Sequence, residues 1–397
     1  MKLAVVADLK KLAGKRVLVR VDFNIPLGPK GRIEPAEGAK IQATLPTVEY
    51  LVRANAKVIL VSHLGRPQGC EPKYSLAPIA KYLAKLLDRP VRFIDDCLED
   101  DADQVAKKLA QLQDGEVALL ENIRYYPEEE KNDARFAKRL AGLADIFVND
   151  AFATCHRAHA STAGVTKFLP SYAGLLVEKE VVSLDKLLKK PKKPFYVLMG
   201  GAKISSKLPT LEKMLQTADK VFVGGGMANS FFKARGYGIG KSKVEPEEVR
   251  FAKKLLKNKR LILPVDVLAA SALKENAAVR VAKPDDVRPN EYIVDIGTQT
   301  MRDFALELKK ARTLVWNGPV GLFEIRKFSH GSIILGRVIA AHSRGRAFGV
   351  VGGGETIVCL ERTGMAEYVD HISTGGGAML EYLSGKVLPG IKPLLHK

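Results

Sequence analysis

Short and almost uninterrupted apolar segments recur along the chain, and most of them end at a glycine or a polar residue. Such segments are typical of strands that are covered on both faces. Segments with helical periodicity lie between them, and an alternation of strands and helices predicts an α/β fold built on parallel sheets. The predicted strands are Val17–Phe23, Lys57–Gly65, Val117–Arg124, Ile146–Phe152, Phe195–Gly201, Val221–Gly226, Leu261–Asp266, Thr313–Gly318 and Phe348–Gly354. The predicted helices are Thr47–Asn55, Leu76–Leu87, Asp101–Leu112, Lys207–Thr217 and Glu247–Lys257.

Polar residues follow these strands, and ligands of open α/β sheets bind beyond the carboxyl ends of the strands. The first half of the chain places arginine and histidine there, at His63, Arg66, Arg124, His156, Arg157 and His159. The second half places glycine triplets there, at Gly224–Gly226, Gly352–Gly354 and Gly375–Gly377. The sequence therefore predicts two binding edges that differ in chemistry.

A chain of 397 residues has the length of about two domains. Between the two halves, Val177–Lys190 has the pattern of a helix, with glutamate near its start and lysine at its end, as the helix dipole prefers. Pro191 and Pro194 then prevent its continuation. We expect this helix to connect two similar-sized, Rossmann-like parallel-sheet domains.

Composition and charge narrow the class of protein. No apolar stretch approaches the roughly 20 residues of a membrane span, and the apolar segment Leu3–Ala7 is too short for a signal peptide. Four cysteines without CxxC or zinc-site spacing fit reduced thiols, so we expect a soluble cytoplasmic protein. The net charge of +19 suits nucleic acid, an anionic membrane or small anionic substrates, and charge alone does not select among them.

Three segments place arginine just beyond a predicted strand: Ser62–Pro67, Glu121–Arg124 and His156–His159. The planar guanidinium group suits phosphate and carboxylate, so together they predict a site for a small, multiply charged anion. Surface salt bridges are the alternative for any one of them. Metal binding by His156 and His159 is disfavoured, because no acidic residue is placed to complete the site.

Glycine-rich segments in the second half could approach phosphates closely. Gly352–Thr356 and Ser373–Gly377 each precede a helical segment, although an isolated glycine triplet is more often a turn. Neither matches GxGxxG, and Gly236–Ser242 fails the Walker A pattern because Arg235 occupies the place of its first glycine. In Gly200–Lys207, two lysines four residues apart lie at a strand-to-helix junction, where an anion would neutralise them.

Seven segments together resemble the phosphoglycerate kinase family, and they occur in that family's order over nearly the whole chain. They are Val17–Pro26, Ser62–Pro67, Glu121–Glu130, Val148–Ser161, Gly200–Lys207, Val315–Glu324 and His371–Gly377.

The resemblance implies reversible phosphoryl transfer from 1,3-bisphosphoglycerate to ADP, giving 3-phosphoglycerate and ATP, in glycolysis and gluconeogenesis. It implies Mg²⁺ as cofactor, ADP and ATP as substrates, a monomer in the cytoplasm, closure of two domains about a hinge, and neither nucleic acid nor a membrane as partner. A triose domain at 1–177, completed by 381–397, would be joined by a connecting helix at 178–190 to a nucleotide domain at 191–380.

The resemblance also implies roles for individual residues. The triose would be bound by Asp22, Phe23, Asn24, Lys40, His63, Leu64, Gly65, Arg66, Arg124 and Arg157. The nucleotide would be bound by Lys203, Lys207, Gly225, Gly226, Gly297, Asn317, Pro319, Glu324, Gly353, Gly354, Glu355 and Thr356. Catalysis would involve Lys40, Lys203, Lys207, Gly353 and Gly376, and the metal would be bound by Glu355.

The chain departs from the family's pattern at three positions. Lys40 replaces an arginine to which the family's pattern gives a catalytic role, Glu355 replaces a metal-binding aspartate, and Ser206 replaces a common aspartate. A lysine is a point charge rather than a planar pair of donors. Two other hypotheses are therefore retained: a catalytically weak homologue that binds nucleotide or another partner, and a nucleic-acid binder that uses the net charge. Arg32 is the nearest arginine that could compensate for Lys40.

Overall fold

The computed structural model describes residues 2–96 and 102–396. They form two compact units, Met1–Val182 with Val387–Lys397, and Ser183–Lys386, which are called here the first and the second unit. Each unit contains a parallel sheet with helices, so the predicted fold class is confirmed. In the described part of the chain, no helix combines the length and the apolar character needed to cross a bilayer.

The described part of the first unit contains a six-stranded parallel sheet with the strand order β3-β4-β2-β1-β5-β6. Its strands are β1 (Arg16–Arg20), β2 (Lys57–Val61), β3 (Val91–Ile94), β4 (Val117–Leu120), β5 (Ile146–Asn149) and β6 (Ser171–Ala173). Its helices are α1 (Pro35–Gln42), α2 (Leu45–Arg53), α3 (Ala77–Leu87), α4 (Ala102–Ala110), α5 (Pro127–Lys131) and α6 (Ala134–Gly142). Helix α7 (Leu175–Lys189) crosses the boundary between the units.

Both faces of this sheet are buried, which explains the uninterrupted apolar segments. Val17 and Val19 of β1 belong to one apolar cluster, whereas Leu18 belongs to a second cluster with Phe147 of β5. Because successive side chains of a strand point to opposite faces, every position of such a strand must be apolar. β1 begins and ends with an arginine, and Arg20, at its carboxyl end, is the buried one, with only 1% of the residue exposed.

The second unit contains a parallel sheet with the order β15-β14-β13-β7-β8-β9 and an antiparallel sheet with the order β11-β10-β12. Its strands are β7 (Phe195–Met199), β8 (Lys220–Val223), β9 (Leu261–Ile262), β10 (Val267–Ala270), β11 (Val279–Ala282), β12 (Tyr292–Ile296), β13 (Thr313–Asn317), β14 (Phe348–Gly352) and β15 (His371–Ser373). Its helices are α8 (Leu208–Thr217), α9 (Gly226–Ala234), α10 (Pro246–Leu255), α11 (Thr298–Leu308), α12 (His330–Ser343), α13 (Gly354–Glu361) and α14 (Gly377–Leu383).

Several elements of the second unit differ from the prediction, and β15, α9, α11 and α12 are among those that were not predicted. The predicted strand Leu261–Asp266 is wrong in length, because β9 ends at Ile262, two residues before Pro264, which has no N–H to donate to a ladder. The antiparallel sheet was not predicted at all. Val279 and Val281 of β11 are exposed, so this strand lacks the apolar pattern of a covered strand.

Candidate active site

The carboxyl ends of β1 and β2 bring three predicted side chains together in the first unit. Asp22 Oδ1 lies 3.8 Å from His63 Nδ1, and Asp22 Oδ2 lies 3.7 Å from Lys40 Nζ. Lys40 comes from the last turn of α1, and its ammonium group also donates to the carbonyl of Asn24 at 3.1 Å. Residues 22, 24, 40 and 63 therefore form one cluster, as the resemblance implies.

Asn122 at the end of β4 shapes the adjoining loop. Its side chain accepts from the N–H of Leu64 at 3.1 Å and donates to the carbonyl of Leu64 at 2.8 Å. The N–H of Gly65 donates to Asn24 Oδ1 at 2.8 Å, and the carbonyl of Gly65 accepts from Arg124 Nη1 at 2.7 Å. These hydrogen bonds hold Arg124, from the segment Glu121–Arg124, against the loop formed by Ser62–Pro67.

The remaining predicted triose residues differ in burial. The Arg124 side chain is 9% exposed and pairs with Glu130 at 3.1 Å, while Arg157 is half-buried and donates to His156 Nε2 at 3.2 Å. Burial, together with the charges of Arg20 and Arg157, lowers the pKa of Arg124, and the Glu130 carboxylate opposes the shift. Arg66 is exposed. The side chains of Phe23 and Leu64 are in the apolar core, so only their backbone groups are available at this edge.

A buried arginine was missed by the sequence reasoning. Arg20 Nε donates to Ser161 Oγ at 2.8 Å, and Ser161 Oγ donates to Glu129 Oε1 at 2.6 Å. The Ser161 N–H also donates to Glu129, at 2.8 Å. Burial raises the pKa of Glu129, although the Arg20 charge opposes the shift. The available signal was an arginine between Val19 and Val21 in an otherwise apolar segment, because buried charges are almost always paired.

Arg20 also determines the charge of His63 and which of its ring nitrogens carries the proton. Arg20 Nη2 lies 3.1 Å from His63 Nδ1, and because arginine can only donate, Nδ1 is the acceptor. Burial, and then the charge of Arg20, lowers the pKa of His63 well below its usual value. Burial also lowers the pKa of His159 to about 4. Both imidazoles are neutral at pH 7, and His63 carries its proton on Nε2.

In the second unit, Lys207 lies at the carboxyl ends of β7 and β13. Its ammonium group donates to the carbonyl of Gly200 at 2.8 Å and to that of Asn317 at 3.4 Å. Burial lowers the pKa of Lys207 to about 8, and the nearby Glu355 carboxylate opposes the shift. Lys207 is therefore mostly charged at pH 7, in a place with little water to screen it.

The loops after β13 and β14 are joined by side chains that the sequence singled out. Asn317 Nδ2 donates to the carbonyl of Gly352 at 2.7 Å, and the N–H of Gly318 donates to Thr356 Oγ1 at 2.7 Å. Gly353 immediately precedes α13. Its φ of +101° is a backbone conformation that L-residues with a side chain rarely adopt. This arrangement directs the N-terminus of α13 toward the carboxyl edge of the sheet.

A cavity of about 1340 Å³ opens beside these loops. Of the predicted nucleotide residues, it is lined by Lys203, Gly225, Gly226, Pro319, Glu324 and Glu355. Its wall also contains residues that the sequence reasoning missed, namely Asn229, Phe232, Ile239, Tyr292 and Leu322. These are mostly apolar side chains from distant segments of the chain, and only the fold brings those segments together. A large, partly apolar cavity with a few polar groups is typical of a small-molecule site.

Seven of the residues predicted for the nucleotide or for catalysis in the second unit lie outside the lining of this cavity, namely Lys207, Gly297, Asn317, Gly353, Gly354, Thr356 and Gly376. Gly297 begins α11 and packs against Asp266, since a Cβ on Gly297 would lie 2.2 Å from the carboxyl carbon of that side chain. Gly376 follows β15 and precedes α14, with φ +48°. At the mouth of the cavity, Lys203 Nζ is paired with Glu245, the residue that precedes α10.

Glu355 is the residue whose chemistry best fits a metal ion. Its side chain is exposed in the first turn of α13, close enough to Lys207 to act on that residue's pKa. Asp266 and Asp295 are engaged elsewhere, since Asp266 accepts from the N–H of Thr300 at 2.8 Å and Asp295 from that of Gly331 at 2.8 Å. Among the described residues there is no group of three acidic, histidine or cysteine ligands. A single carboxylate suits Mg²⁺, which takes its other ligands from water and substrate phosphates.

Comparisons with known proteins agree with this geometry. The family model described as phosphoglycerate kinase matches residues 6–386. The chain belongs to the phosphoglycerate kinase family. The phosphoglycerate kinase of Pelotomaculum thermopropionicum is 47% identical over 390 residues, which are 97% of this chain and 97% of that protein. The phosphoglycerate kinase of Moorella thermoacetica is 46% identical, with 98% of each chain covered.

Solved structures of the phosphoglycerate kinase family have the same fold. The structure from Coxiella burnetii has a TM-score of 0.85 at 40% identity and covers 99% of this chain and 98% of its own. The structure from Pyrococcus horikoshii has a TM-score of 0.85 at 32% identity, with the same shares covered. The resemblance inferred from seven segments is thereby confirmed.

Proposed function

We propose that this protein transfers a phosphoryl group between 1,3-bisphosphoglycerate and ADP, giving 3-phosphoglycerate and ATP, as an enzyme of glycolysis and gluconeogenesis. Family membership over residues 6–386 supports the reaction. The structural observation that carries it is the pair of polar sheet edges, one rich in cations and the other beside a large cavity. Nothing favours the alternative of a catalytically weak homologue.

The first unit binds the triose in this proposal. Arg124, Arg157 and Lys40 supply positive charge for the phosphate and the carboxyl end of the substrate. His63, which is neutral with its proton on Nε2, donates a hydrogen bond without adding charge. Asp22, whose carboxylate lies 3.7 Å from the ammonium group of Lys40, orients that lysine. Arg66, exposed on the loop after β2, would complete the contacts when substrate binds.

The second unit binds the nucleotide. The apolar wall of the cavity, with Phe232 and Tyr292, suits the flat faces of a base. The N–H groups at the start of α13 and the ammonium group of Lys207 suit the phosphates. In the absence of substrate, the ion pair with Glu245 holds Lys203 at the mouth of the cavity. When the nucleotide binds, Lys203 leaves Glu245 and contacts a phosphate oxygen instead.

Glu355 would hold Mg²⁺, which neutralises charge on the nucleotide phosphates when it is bound. The remaining residues position the reactants, because phosphoryl transfer depends mainly on alignment and on stabilisation of charge. Since the two substrates are assigned to different units, the proposal includes closure of the units about the α7 segment, which would exclude water. It also includes a cytoplasmic monomer.

A coupled assay tests the reaction. The purified chain should form ATP from ADP and 1,3-bisphosphoglycerate, and EDTA should abolish the activity until Mg²⁺ is restored. Lys207→Met should lower kcat by about 10²–10³, because a buried charge next to the reacting group is lost. Absence of ATP formation from a folded chain that binds both substrates would establish the weak homologue instead.

Replacement of one arginine tests the division of substrates. Arg157→Ala should raise the KM for the triose about 10–100-fold, since a charge-assisted contact is worth about 1.5–3 kcal/mol, and should leave the KM for nucleotide within about twofold. Steady-state kinetics with each substrate varied in turn measures both values. Arg135→Ala, at an exposed arginine of α6, is the matched control and should change neither. Equal effects of Arg157→Ala on both substrates would contradict the assignment.

A further inference from the structure

The amino-terminal edge of the second unit's parallel sheet carries an unusual concentration of positive charge. Five loops lead from a helix into the strands β7, β8, β9, β13 and β14, and they contain eleven lysines and arginines against one acidic residue, Asp219. We call these loops the basic edge. Its cations are Lys190, Lys192, Lys193, Lys257, Lys259, Arg260, Lys309, Lys310, Arg312, Arg344 and Arg346. More than half of the chain's net charge of +19 is therefore on this edge.

The five loops form one continuous row. The strands are neighbours in the order β14-β13-β7-β8-β9, and at about 4.8 Å between adjacent strands the row extends over about 19 Å. Backbone bonds tie the loops to one another: the N–H of Phe348 donates to the carbonyl of Arg312 at 2.9 Å, and the N–H of Arg312 to that of Pro194 at 2.8 Å. The cations are thus arranged on a rigid scaffold.

The architecture of the sheet does not require this charge. Cations at helix C-termini are favoured by the helix dipole, but the first unit has the same architecture and the same helix-to-strand loops. There, the loops before β2, β3, β4 and β5 contain one cation, Arg89, against the acidic residues Asp88, Asp114, Glu116 and Asp145. The segment that leads into β1 adds Lys10, Lys11 and Lys15, so the edge of the first sheet carries balanced charge, whereas that of the second is strongly basic. The difference therefore belongs to the sequence of the second unit.

The charges of the basic edge are available to a partner. All eleven side chains belong to exposed residues. Lys193 pairs with Asp219 at 3.2 Å, and Lys310 pairs with Glu307. Among the described residues, the other nine have no acidic side chain within salt-bridge distance, although some bond backbone carbonyls, as Arg260 does with Leu215 at 3.1 Å. Nine cations without counter-charges within about 19 Å repel one another, and a polyanion would relieve that repulsion.

We propose that the basic edge binds the phosphate backbone of double-stranded nucleic acid. A row of about 19 Å matches five to six base pairs at 3.4 Å each, which presents several phosphates on the facing strand. The five loops contain no aromatic residue, so bases could not stack on them as single strands require. They contain no exposed large apolar side chain that could anchor in a membrane. Contacts to phosphate alone give binding without sequence preference.

This surface is separate from the proposed catalytic machinery. The nucleotide residues lie at the carboxyl ends of the same strands, whereas the basic edge lies at their amino ends. Because β13 has five residues, the basic edge and the nucleotide residues are separated by about 17 Å along this strand. Duplex binding should therefore not compete with ADP.

Fluorescence anisotropy with a labelled 20-base-pair DNA duplex tests the proposal. The full-length protein is titrated at 50–200 mM salt, with saturating ADP and 3-phosphoglycerate present to occupy the proposed substrate sites. We expect the logarithm of the association constant to fall linearly with the logarithm of the salt concentration. Five or six phosphate contacts predict a slope of about −5. No binding at 50 mM salt, a slope shallower than about −2, or binding that occurs only when ADP and 3-phosphoglycerate are left out would overturn the proposal.

Two variants with the same change in net charge locate the surface. The edge variant replaces Lys192, Lys259, Arg312 and Arg346 by glutamine, and the control variant replaces Lys274, Lys283, Arg302 and Arg326, which are exposed cations of the second unit outside the basic edge. We expect the edge variant to bind the duplex at least about 30-fold more weakly at 50 mM salt, with a slope reduced by about 3–4, and the control variant to bind within about fivefold of the original.

Other outcomes of these binding experiments would contradict binding of the duplex by the basic edge. Equal weakening by both variants would show that binding follows net charge rather than this edge. Retention of the protein by phosphatidylserine vesicles at a salt concentration where the duplex no longer binds would identify a membrane as the partner and overturn the proposal. The kinase activity of both variants, expected to be unchanged, shows that they are folded.

Discussion

Arg20→Met should lower the free energy of opening of the first unit by about 3–5 kcal/mol, the cost of removing one partner from a buried charge network. Arg20 is 1% exposed, and Ser161 links it to Glu129, which is fully buried. Without the guanidinium group, Glu129 must be either buried as an unpaired carboxylate or protonated. Amide hydrogen exchange in β1 and β5 measures the loss, and exchange in β7 of the second unit serves as the internal reference.

The loss should depend on pH with a defined sign. The pKa of Glu129 is raised by burial, and removal of Arg20 raises it further, because the Arg20 charge is the largest influence that lowers it. When the folded pKa exceeds the unfolded one, the folded state binds more protons, so stability falls as pH rises between the two values. The deficit of Arg20→Met relative to the original protein should therefore be smallest near the unfolded pKa of about 4.5 and grow toward neutral pH.

Two further variants separate the buried network from simple loss of an arginine. Arg16→Met, on the same strand, removes a side chain that is 37% exposed and paired with Asp145 at 2.8 Å, so it should cost about 1 kcal/mol or less. Arg20→Met combined with Glu129→Gln should cost less than the sum of the single changes, by about 1–3 kcal/mol. Strict additivity would show that the two charges do not act on each other.

The sequence predicted those elements whose residue types follow directly from their place in the fold. The fully apolar strands follow from burial on both faces, as with Val17 and Leu18, and the polar residues at their ends follow from the parallel order of the sheet. Asp22, Asn24 and the loop at Gly65 could be grouped because each follows a strand at the same sheet edge, whereas Lys40 was assigned to this group only through the family resemblance.

What could not be predicted depends on pairings between distant residues. Arg20 and Ser161 are separated by 141 positions, and no local pattern connects them. The same holds for the apolar wall of the cavity, where Phe232 of α9 and Tyr292 of β12 look like ordinary core residues in the sequence. The antiparallel sheet was missed because β11 has exposed valines instead of a buried face.

Lys40→Ala should lower kcat by about 10²–10³, the effect of losing one donor that stabilises transition-state charge, or about 3–4 kcal/mol. The family's pattern implies an arginine at this position. The structure shows that Lys40 reaches the cluster after β1, since its ammonium group lies 3.1 Å from the carbonyl oxygen of Asn24 and 3.7 Å from Asp22 Oδ2. The unit charge is therefore retained where the resemblance implies that it is needed, and only the planar pair of donors is missing.

Lys40→Arg should accordingly raise kcat, because the guanidinium group can add a second N–H contact to the moving phosphoryl group without adding charge. The KM for nucleotide should stay nearly unchanged in both variants, since the Asn24 and Asp22 contacts of Lys40 lie in the first unit. The Lys40 side chain is 42% exposed, so neither change should lower stability by more than about 1 kcal/mol. Steady-state kinetics and thermal unfolding of both variants measure these effects.

Arg32 is the control, because it is the arginine that could have taken over the role of position 40. Its side chain is 73% exposed and pairs with Glu34 at 2.9 Å, so it is occupied outside the cluster. Arg32→Ala should change kcat by less than about twofold, and adding it to Lys40→Ala should cause no further loss, as expected of sites that do not interact. A severe loss with Arg32→Ala and a mild one with Lys40→Ala would mean that Arg32 moves into the site when substrate binds. A neutral Lys40→Arg together with a harmless Lys40→Ala would remove position 40 from the mechanism altogether.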